Sequence, residues 1–152
     1  MNIPILNPSF GTLSEGAARW MVRTHEGVTM VPTVDGAVLH LAISSAHGAN
    51  WHGELCYAPF PVAAGSTLTV SFAARAAQPF TFSVWLGQSQ PPYESLVAPG
   101  NHFGEQTMTA GWQTYTHRWQ PLASEEAARL NFVLGQIDNH VELRDVALVV
   151  AA

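Results

Sequence analysis

The sequence predicts an all-β protein in which two antiparallel sheets pack face to face as a sandwich. Turn-forming pairs such as Asp35-Gly36 and Pro99-Gly100 recur at short intervals along the chain. The runs between these turns are short and rich in Val, Leu, Phe, Thr, Trp and Tyr. Several of the runs alternate between apolar and polar side chains. This combination is typical of a β-sandwich or barrel.

The predicted strands follow one another along almost the whole chain. In order they are residues 19–24, 27–33, 37–44, 51–57, 67–75, 79–87, 112–119, 129–135 and 141–150. Residues 124–129 are expected to form one helical turn, because Ser124 can cap a segment that begins with Glu125 and Glu126. The longest connection, residues 87–111, is expected to be a loop that forms one wall of a cleft, since long ordered loops are often functional.

Alternation with a period of two residues assigns side chains to the two faces of each strand. The positions predicted to face the core are Leu39, Leu41, Ile43, Leu68, Val70, Phe72, Ala74, Phe80, Phe82, Val84, Leu86, Leu130, Phe132 and Leu134. Residues 112–119 alternate less cleanly. There Tyr115, His117 and Trp119 share a face that is expected to be buried, and Trp112 is expected to cover the start of the strand.

Trp85 breaks the pattern, because it lies on the polar face of its strand with Thr81 and Ser83. A large indole in that position either meets another apolar layer or awaits a flat apolar ligand. Sugar rings, which have one face of C–H bonds, are such ligands. Trp85 is therefore the leading candidate for a binding residue.

Charge composition limits the class of partner. The chain has no lysine, six arginines and a formal net charge of −5. Nucleic acid and anionic membranes both require basic patches, and six scattered arginines do not predict one. Polyanionic glycans are disfavoured for the same reason, so a neutral partner is expected.

The single cysteine, Cys56, excludes an internal disulfide, and a buried, inert thiol is expected there. The first residues lack the basic and apolar regions of a signal peptide. No apolar stretch approaches the roughly 20 residues needed to span a bilayer. We expect residues 1–152 to form one domain, a module of a longer, secreted extracellular protein.

Six motifs, in this order, resemble those of the carbohydrate-binding modules of families four, nine and twenty-two. They are the Asn-Pro-Ser-Phe at 7–10, the Trp-His-Gly-Glu-Leu at 51–55, the segment at 61–75, the Gly-Trp-Gln-Thr-Tyr at 111–115, and the segments at 128–135 and 141–148. The resemblance implies a jelly-roll sandwich, similar to galactose-binding domains. It also implies a non-catalytic domain appended to glycoside hydrolases such as cellulases and xylanases.

The resemblance implies a structural calcium ion, but two of the expected acidic ligands are replaced. Gly11 occupies the position of an early Glu, and Arg144 occupies that of a closing Asp, which leaves Asp145 alone. Ca²⁺ takes six to eight oxygen ligands with enough negative charge to offset dehydration. We therefore expect the site to be absent or weak, and no cofactor is predicted.

Two further aromatic residues are candidates for stacking on sugar. For Trp51 two interpretations remain open: parity groups it with Leu55 in the core, whereas the resemblance to family twenty-two makes it a sugar platform. A bulge at Gly53 would reconcile them. Tyr93, in a stiff Pro-Pro-Tyr sequence, either stacks on sugar or pins the loop.

Polar candidates for sugar hydroxyls are His52 and Glu54, which share one face of a predicted strand, and Gln88 and Gln136, which lie at strand ends. An ionised Glu accepts hydrogen bonds from hydroxyls, and amides both donate and accept. For Gln88 and Gln136, a solvated loop residue is the alternative.

Together with the family resemblance, which implies the polymer class, these residues predict non-catalytic binding of a neutral, plant-type, β-linked polysaccharide, either β-glucan (cellulose) or xylan. Such a module would concentrate an attached glycoside hydrolase at its substrate. No metal site is predicted, because the seven histidines show no paired spacing and one cysteine cannot build a zinc site. One alternative is a small lyase or glycosidase, although a glycosidase needs two carboxylates about 5–10 Å apart and only Glu54 is a candidate. The other is a protein-interaction or structural sandwich.

Overall fold

The computed structural model describes residues 2–4, 10 and 19–151, with the side chains of residue 10 and residues 19–151. Its strands are β1 (Asn2–Pro4), β2 (Arg19–Thr24), β3 (Thr29–Asp35), β4 (Val38–Ser44), β5 (Gly53–Val62), β6 (Leu68–Ala76), β7 (Phe80–Gln88), β8 (Phe103–Met108), β9 (Gln113–Trp119), β10 (Glu125–Val133) and β11 (Asn139–Ala151). Two short 3-10 turns lie at Asn50–His52 and Pro99–Asn101. Within this part of the chain no helix is long and apolar enough to cross a bilayer.

The strands form two antiparallel sheets, as predicted. Sheet I has the order β3-β4-β11-β6-β9, and β1 also pairs with β11. Sheet II has the order β2-β5-β10-β7-β8. Most neighbours in each sheet are distant in sequence, so almost every strand is held by long-range pairing. The predicted all-β sandwich is confirmed.

The core lies between the sheets and contains every apolar position predicted to face it. Alternate residues of β7 in sheet II, such as Phe82, are buried, and so are those of β6 in sheet I, such as Phe72. The Phe72 ring is 5.0 Å from that of Phe132 and 6.1 Å from that of Phe82, so aromatic edges join the two sheets directly. The outer face of β7 is left to Thr81, Ser83 and Trp85.

A predicted helical turn and part of a predicted loop are strands instead. Residues 124–129 are not helical, because Glu125 begins β10 and pairs with Val62 of β5. The long segment 87–111 contains β8, which pairs with β7 at the edge of sheet II. In both cases pairing with a neighbouring strand overrides a weak local preference.

Strand β9 lies at the edge of sheet I, and this explains its irregular burial. Trp119 is buried, whereas Tyr115 and His117 are only half-buried, so the prediction of a fully buried face is wrong for these two. Trp112 is on the outer face, where Arg75 and Arg144 place their guanidinium carbons 4.6 and 4.0 Å from its ring centroid.

Candidate functional site

The outer face of sheet II carries an open cleft of about 330 Å³. Three adjacent strands, β5, β10 and β7, form its base. In one row of facing residues, Val133 of β10 pairs with Glu54 of β5 and with Ser83 of β7. In the next row, Asn131 of β10 pairs with Trp85 of β7. The residues that line the cleft are Asn50, Trp51, Glu54, Ser83, Trp85, Tyr93, Arg129, Asn131 and Val133.

Trp85 is half-buried, and its indole folds back over Gly87, the next residue on the same face of β7. A Cβ atom at position 87 would lie 2.0 Å from Cη2 of the indole, so only glycine leaves room for the ring. Arg129 is opposite Gly87 on β10. Its guanidinium carbon is 5.0 Å from the Trp85 ring centroid and 5.8 Å from that of Tyr93, within the range of cation–π attraction.

Trp51 is 50% exposed and lies in the 3-10 turn Asn50–His52, ahead of β5. The strand predicted at 51–57 therefore starts two residues late, and the parity that placed Trp51 in the core does not apply. The β2–β5 pairing starts at Gly53 without a register shift. Trp51 is therefore exposed because it lies in the turn, and not because of the bulge expected at Gly53.

The turn that carries Trp51 is fixed where two glycine backbones meet. A Cβ atom on Gly135 would lie 2.2 Å from the backbone nitrogen of Gly53. This close approach lets the Gly135 N–H donate to the carbonyl of Asn50 at 2.8 Å. Gly53 and Gly135 thus position Trp51 at one end of the cleft.

Tyr93 is 45% exposed and lies in a tight turn after β7, where its N–H donates to the carbonyl of Gln90 at 2.9 Å. Its φ of 58° is in the left-handed region, which is unfavourable for a non-glycine residue and is often found at binding sites. Gln88 holds this turn, because its Oε1 accepts from the Glu94 N–H at 3.0 Å. Gln88 does not line the cleft but supports the loop that presents Tyr93.

Glu54 is held by a network that reaches beneath the cleft. Asn131 Nδ2 donates to Glu54 Oε1 at 2.9 Å, and His25 Nε2 is 3.2 Å from Oε2. The Cys56 thiol donates to Asn131 Oδ1 at 3.2 Å. Burial raises the pKa of Cys56 to about 12, which keeps the thiol neutral and able to donate. The carboxylate is thus oriented while it retains lone pairs for ligand hydroxyls.

Besides Gln88, two more of the predicted polar residues do not line the cleft, so Glu54 is the one of the four that does. His52 is buried, and its ring packs 4.3 Å from the Trp51 ring, edge to face. The 3-10 turn breaks the parity that had placed it beside Glu54. Gln136 accepts a hydrogen bond from the Thr81 N–H through Oε1 at 3.1 Å, so it ties the end of β10 to β7.

A second depression, of about 200 Å³, adjoins the cleft at Arg129 and is also lined by Arg19 and Arg23. Half of the six arginines therefore meet in one groove, so they are less scattered than the sequence suggested. None of the ion pairs among the described residues involves these three. Arg129 is 8% exposed, and the Trp85 and Tyr93 rings accommodate its charge.

Sequence reasoning missed several cleft residues, and the strongest omissions are Arg129 and Asn131. Both are buried although they lie on the outer face of β10, opposite the core residues Leu130 and Phe132. The alternation of residues 129–133 could have identified them, because it puts Arg129 and Asn131 on the face opposite the core. Asn50 and His25 could not be found in this way, since a turn and a loop bring them to the site.

The residues at the calcium position do not fit that ion. Gly11 lies outside the described residues. Arg144 Nε is 3.6 Å from Asp145 Oδ2, so the remaining carboxylate has a cation beside it. The Arg144 guanidinium also packs on Trp112. A guanidinium in this position repels a second cation and supplies no oxygen ligand to it.

The fold and the cleft define a class, the β-sandwich with an aromatic-lined cleft on one sheet. A family model described as a carbohydrate binding domain, of the family 4 and 9 type, matches residues 5–140. The chain belongs to this carbohydrate-binding family. No curated protein was found to match the sequence.

Solved structures of similar fold cover nearly the whole chain. One, described as "CBM4 structure and function", has a TM-score of 0.82 at 21% identity and covers 97% of this chain and 99% of its own. The second N-terminal cellulose-binding domain of β-1,4-glucanase C from Cellulomonas fimi has a TM-score of 0.69 at 18% identity, covering 95% and 91%. The CBM22-1 xylan-binding domain from Paenibacillus barcinonensis Xyn10C has a TM-score of 0.63 at 14% identity, covering 99% and 97%. These likenesses support the jelly-roll sandwich.

Proposed function

We propose that the chain binds a neutral, β-linked polysaccharide, either β-glucan of the cellulose type or xylan, in the cleft of sheet II. The observation that carries this proposal is the convergence of Trp51, Trp85 and Tyr93 on one open cleft. Aromatic rings attract the C–H faces of sugar rings, and each such contact is worth about 0.5–1.5 kcal/mol by analogy with aromatic pairs.

Hydrogen-bonding groups lie within the same cleft, where Glu54, Asn131, Ser83 and Asn50 alternate with the aromatic rings. This mixture suits a pyranose, which presents an apolar face and a rim of hydroxyls. Among the described residues the buried Arg129 Nε has no hydrogen-bond partner, and the Arg129 side chain lines the cleft. The open shape of the cleft suits an internal segment of a long polymer.

The proposed binding is non-catalytic. Glu54 is the only carboxylate that lines the cleft in the described part of the chain. Its oxygens are engaged by Asn131 and His25, and the common retaining and inverting geometries of glycoside hydrolysis both need a second carboxyl group. We further propose that the chain serves as a targeting module of an extracellular glycoside hydrolase, whose concentration at the polymer it would raise.

Native affinity electrophoresis tests the proposal. The protein is run in gels that contain β-glucan, hydroxyethyl cellulose, xylan, glucomannan or pectin, beside a protein that binds no glycan. Retardation by β-glucan, cellulose or xylan supports it, and retardation by pectin alone would instead assign the arginine groove to an acidic polymer. No retardation in any gel contradicts it. Release of reducing sugar, lost in Glu54→Gln, would overturn the non-catalytic assignment.

A further inference from the structure

Three side chains converge on the outer face of sheet I, on the opposite side of the sandwich from the cleft. His40 Nδ1 lies 3.0 Å from Glu142 Oε1 and 3.1 Å from His140 Nε2. His140 Nε2 is 3.7 Å from the same carboxylate oxygen. Two imidazole nitrogens and one carboxylate oxygen therefore form a compact triangle.

Strand register creates this triangle. His40 on β4 pairs directly with Glu142 on β11, and His140 lies two residues earlier on β11, on the same face. The neighbouring positions Leu39, Leu41 and Val141 point into the core and are fully buried, which fixes the direction of the three polar side chains. The histidines are 100 residues apart, so their spacing in the sequence predicted no metal site.

We propose that His40, His140 and Glu142 bind a divalent first-row transition ion, and that Zn²⁺ fits the three donors. Zinc bonds to imidazole nitrogen and carboxylate oxygen at about 2.0–2.2 Å, which in a tetrahedral site separates neighbouring donor atoms by about 3.4 Å. The three observed separations bracket this value. Imidazole with carboxylate is a donor set that suits zinc and copper, whereas Ca²⁺ and Mg²⁺ prefer oxygen alone.

The exposure of His140 and the orientation of the Glu142 carboxylate also suit a metal ion. The His140 side chain is 48% exposed, so the fourth position of a tetrahedron is open to water. Arg75, opposite Glu142 on β6, binds the other carboxylate oxygen, Oε2. This contact holds the carboxylate in place as outer hydrogen-bond partners of metal ligands do.

An ion at this position would clamp β4 to β11, two neighbours in sheet I. Because the site is on the other sheet from the cleft, the proposal does not depend on the proposed polysaccharide binding. Metal binding to the folded state alone raises the unfolding temperature. The effect can therefore be measured without any glycan.

Isothermal titration of the full chain with ZnCl₂, in a buffer that does not chelate zinc, tests the site. The variants are His140→Ala and Glu142→Gln, and the matched control is His102→Ala, which removes an exposed histidine elsewhere. Titration with Co²⁺ adds a visible absorption spectrum that reports the donor set and geometry. Circular dichroism establishes that each variant is folded.

We expect one Zn²⁺ per chain, with affinity at least about tenfold weaker in both variants and unchanged in His102→Ala. We also expect the tetrahedral cobalt spectrum to disappear in His140→Ala. The proposal is overturned if the chain shows no saturable one-to-one binding, or if His140→Ala and Glu142→Gln bind as tightly as the wild type. If one variant does not fold, the zinc affinity of the other variant and the cobalt spectrum still test the site.

Discussion

The indole of Trp85 rests on Gly87, and a Cβ atom at position 87 would lie 2.0 Å from Cη2 of that ring. The contact joins two residues on the same face of β7 and leaves the core face untouched. The far end of a side chain can move away from an added methyl group, whereas a backbone atom cannot. Position 87 therefore controls the orientation of the ring more than the stability of the sandwich.

The first prediction is that Gly87→Ala weakens polysaccharide binding but not folding. The added methyl displaces the Trp85 ring, and the loss of one stacking contact lowers affinity by roughly two- to tenfold. Affinity electrophoresis and thermal unfolding measure the two effects. Gly104→Ala on β8 is the matched control, because nothing lies within 4 Å of its added Cβ. Wild-type retardation of Gly87→Ala would show that the ring position is irrelevant.

The second prediction is that Gly135→Ala destabilises the fold. The added Cβ would lie 2.2 Å from the backbone nitrogen of Gly53, and backbone cannot rotate away as a side chain does. Overpacking of this kind costs about 1–3 kcal/mol in the free energy of unfolding, which urea titration measures. The turn that carries Trp51 is also displaced, so binding falls as well. A variant as stable as Gly104→Ala would contradict the close contact.

The third prediction concerns Trp51. Since this side chain is 50% exposed and the rest packs against the buried His52, Trp51→Ala should lower the free energy of unfolding by no more than about 1.5 kcal/mol. It should nevertheless reduce retardation by the polymer that the wild type binds. Leu122→Ala is the matched control, because Leu122 is 65% exposed and does not line the cleft. If Trp51→Ala strongly lowers the free energy of unfolding but leaves retardation by the polymer unchanged, Trp51 stabilises the fold and does not bind the ligand.

The fourth prediction concerns the pH dependence of Cys56. Burial raises the pKa of the thiol from 9.0 to about 12. The stability that this group contributes is fully present below pH 9 and is lost as the pH rises towards 12, since the unfolded thiol ionises first. The free energy of unfolding in urea should therefore fall more steeply above pH 9 in the wild type than in Cys56→Ala. Parallel dependence on pH in the two proteins would show that burial does not raise the pKa of the thiol.

The fifth prediction distinguishes a neutral from an acidic ligand. Arg19, Arg23 and Arg129 meet in the groove, and a carboxylate on the ligand would be attracted to them. For a neutral polysaccharide, the dissociation constant should change by less than about twofold between about 50 and 500 mM NaCl, because screening acts only on charged pairs. A steep loss of affinity with salt would show that the ligand is acidic.

Local patterning predicted the core well, because one buried face imposes a strict alternation. Phe80 to Leu86 and Leu68 to Ala74 follow it, and their inner faces are buried as expected. Local patterning failed to predict strands that contain few apolar residues. Strand β8 has Phe103 and Met108 buried only at its ends, and β10 begins with two glutamates that resemble the start of a helix.

The sequence was less informative about the site, because a binding surface does not follow the rules of the core. Trp85 was identified since an indole on a polar face is unusual. Arg129 and Asn131 were missed since buried polar residues on an outer face are rare except under a cleft. His52, Gln88 and Gln136 were assigned to the ligand on side-chain chemistry alone, and the structure gives each of them a partner within the protein or a buried position.

The face of sheet II that bears Trp85 is the proposed polysaccharide site. Isothermal titration with a soluble oligosaccharide of the retarding polymer tests this assignment by comparing the wild type, Trp85→Ala and Trp112→Ala. Trp112 is a partly exposed indole on the opposite sheet and is the matched control. We expect Trp85→Ala to lose about tenfold in affinity while Trp112→Ala binds as the wild type does. Wild-type affinity in Trp85→Ala, or a loss confined to Trp112→Ala, would contradict the assignment.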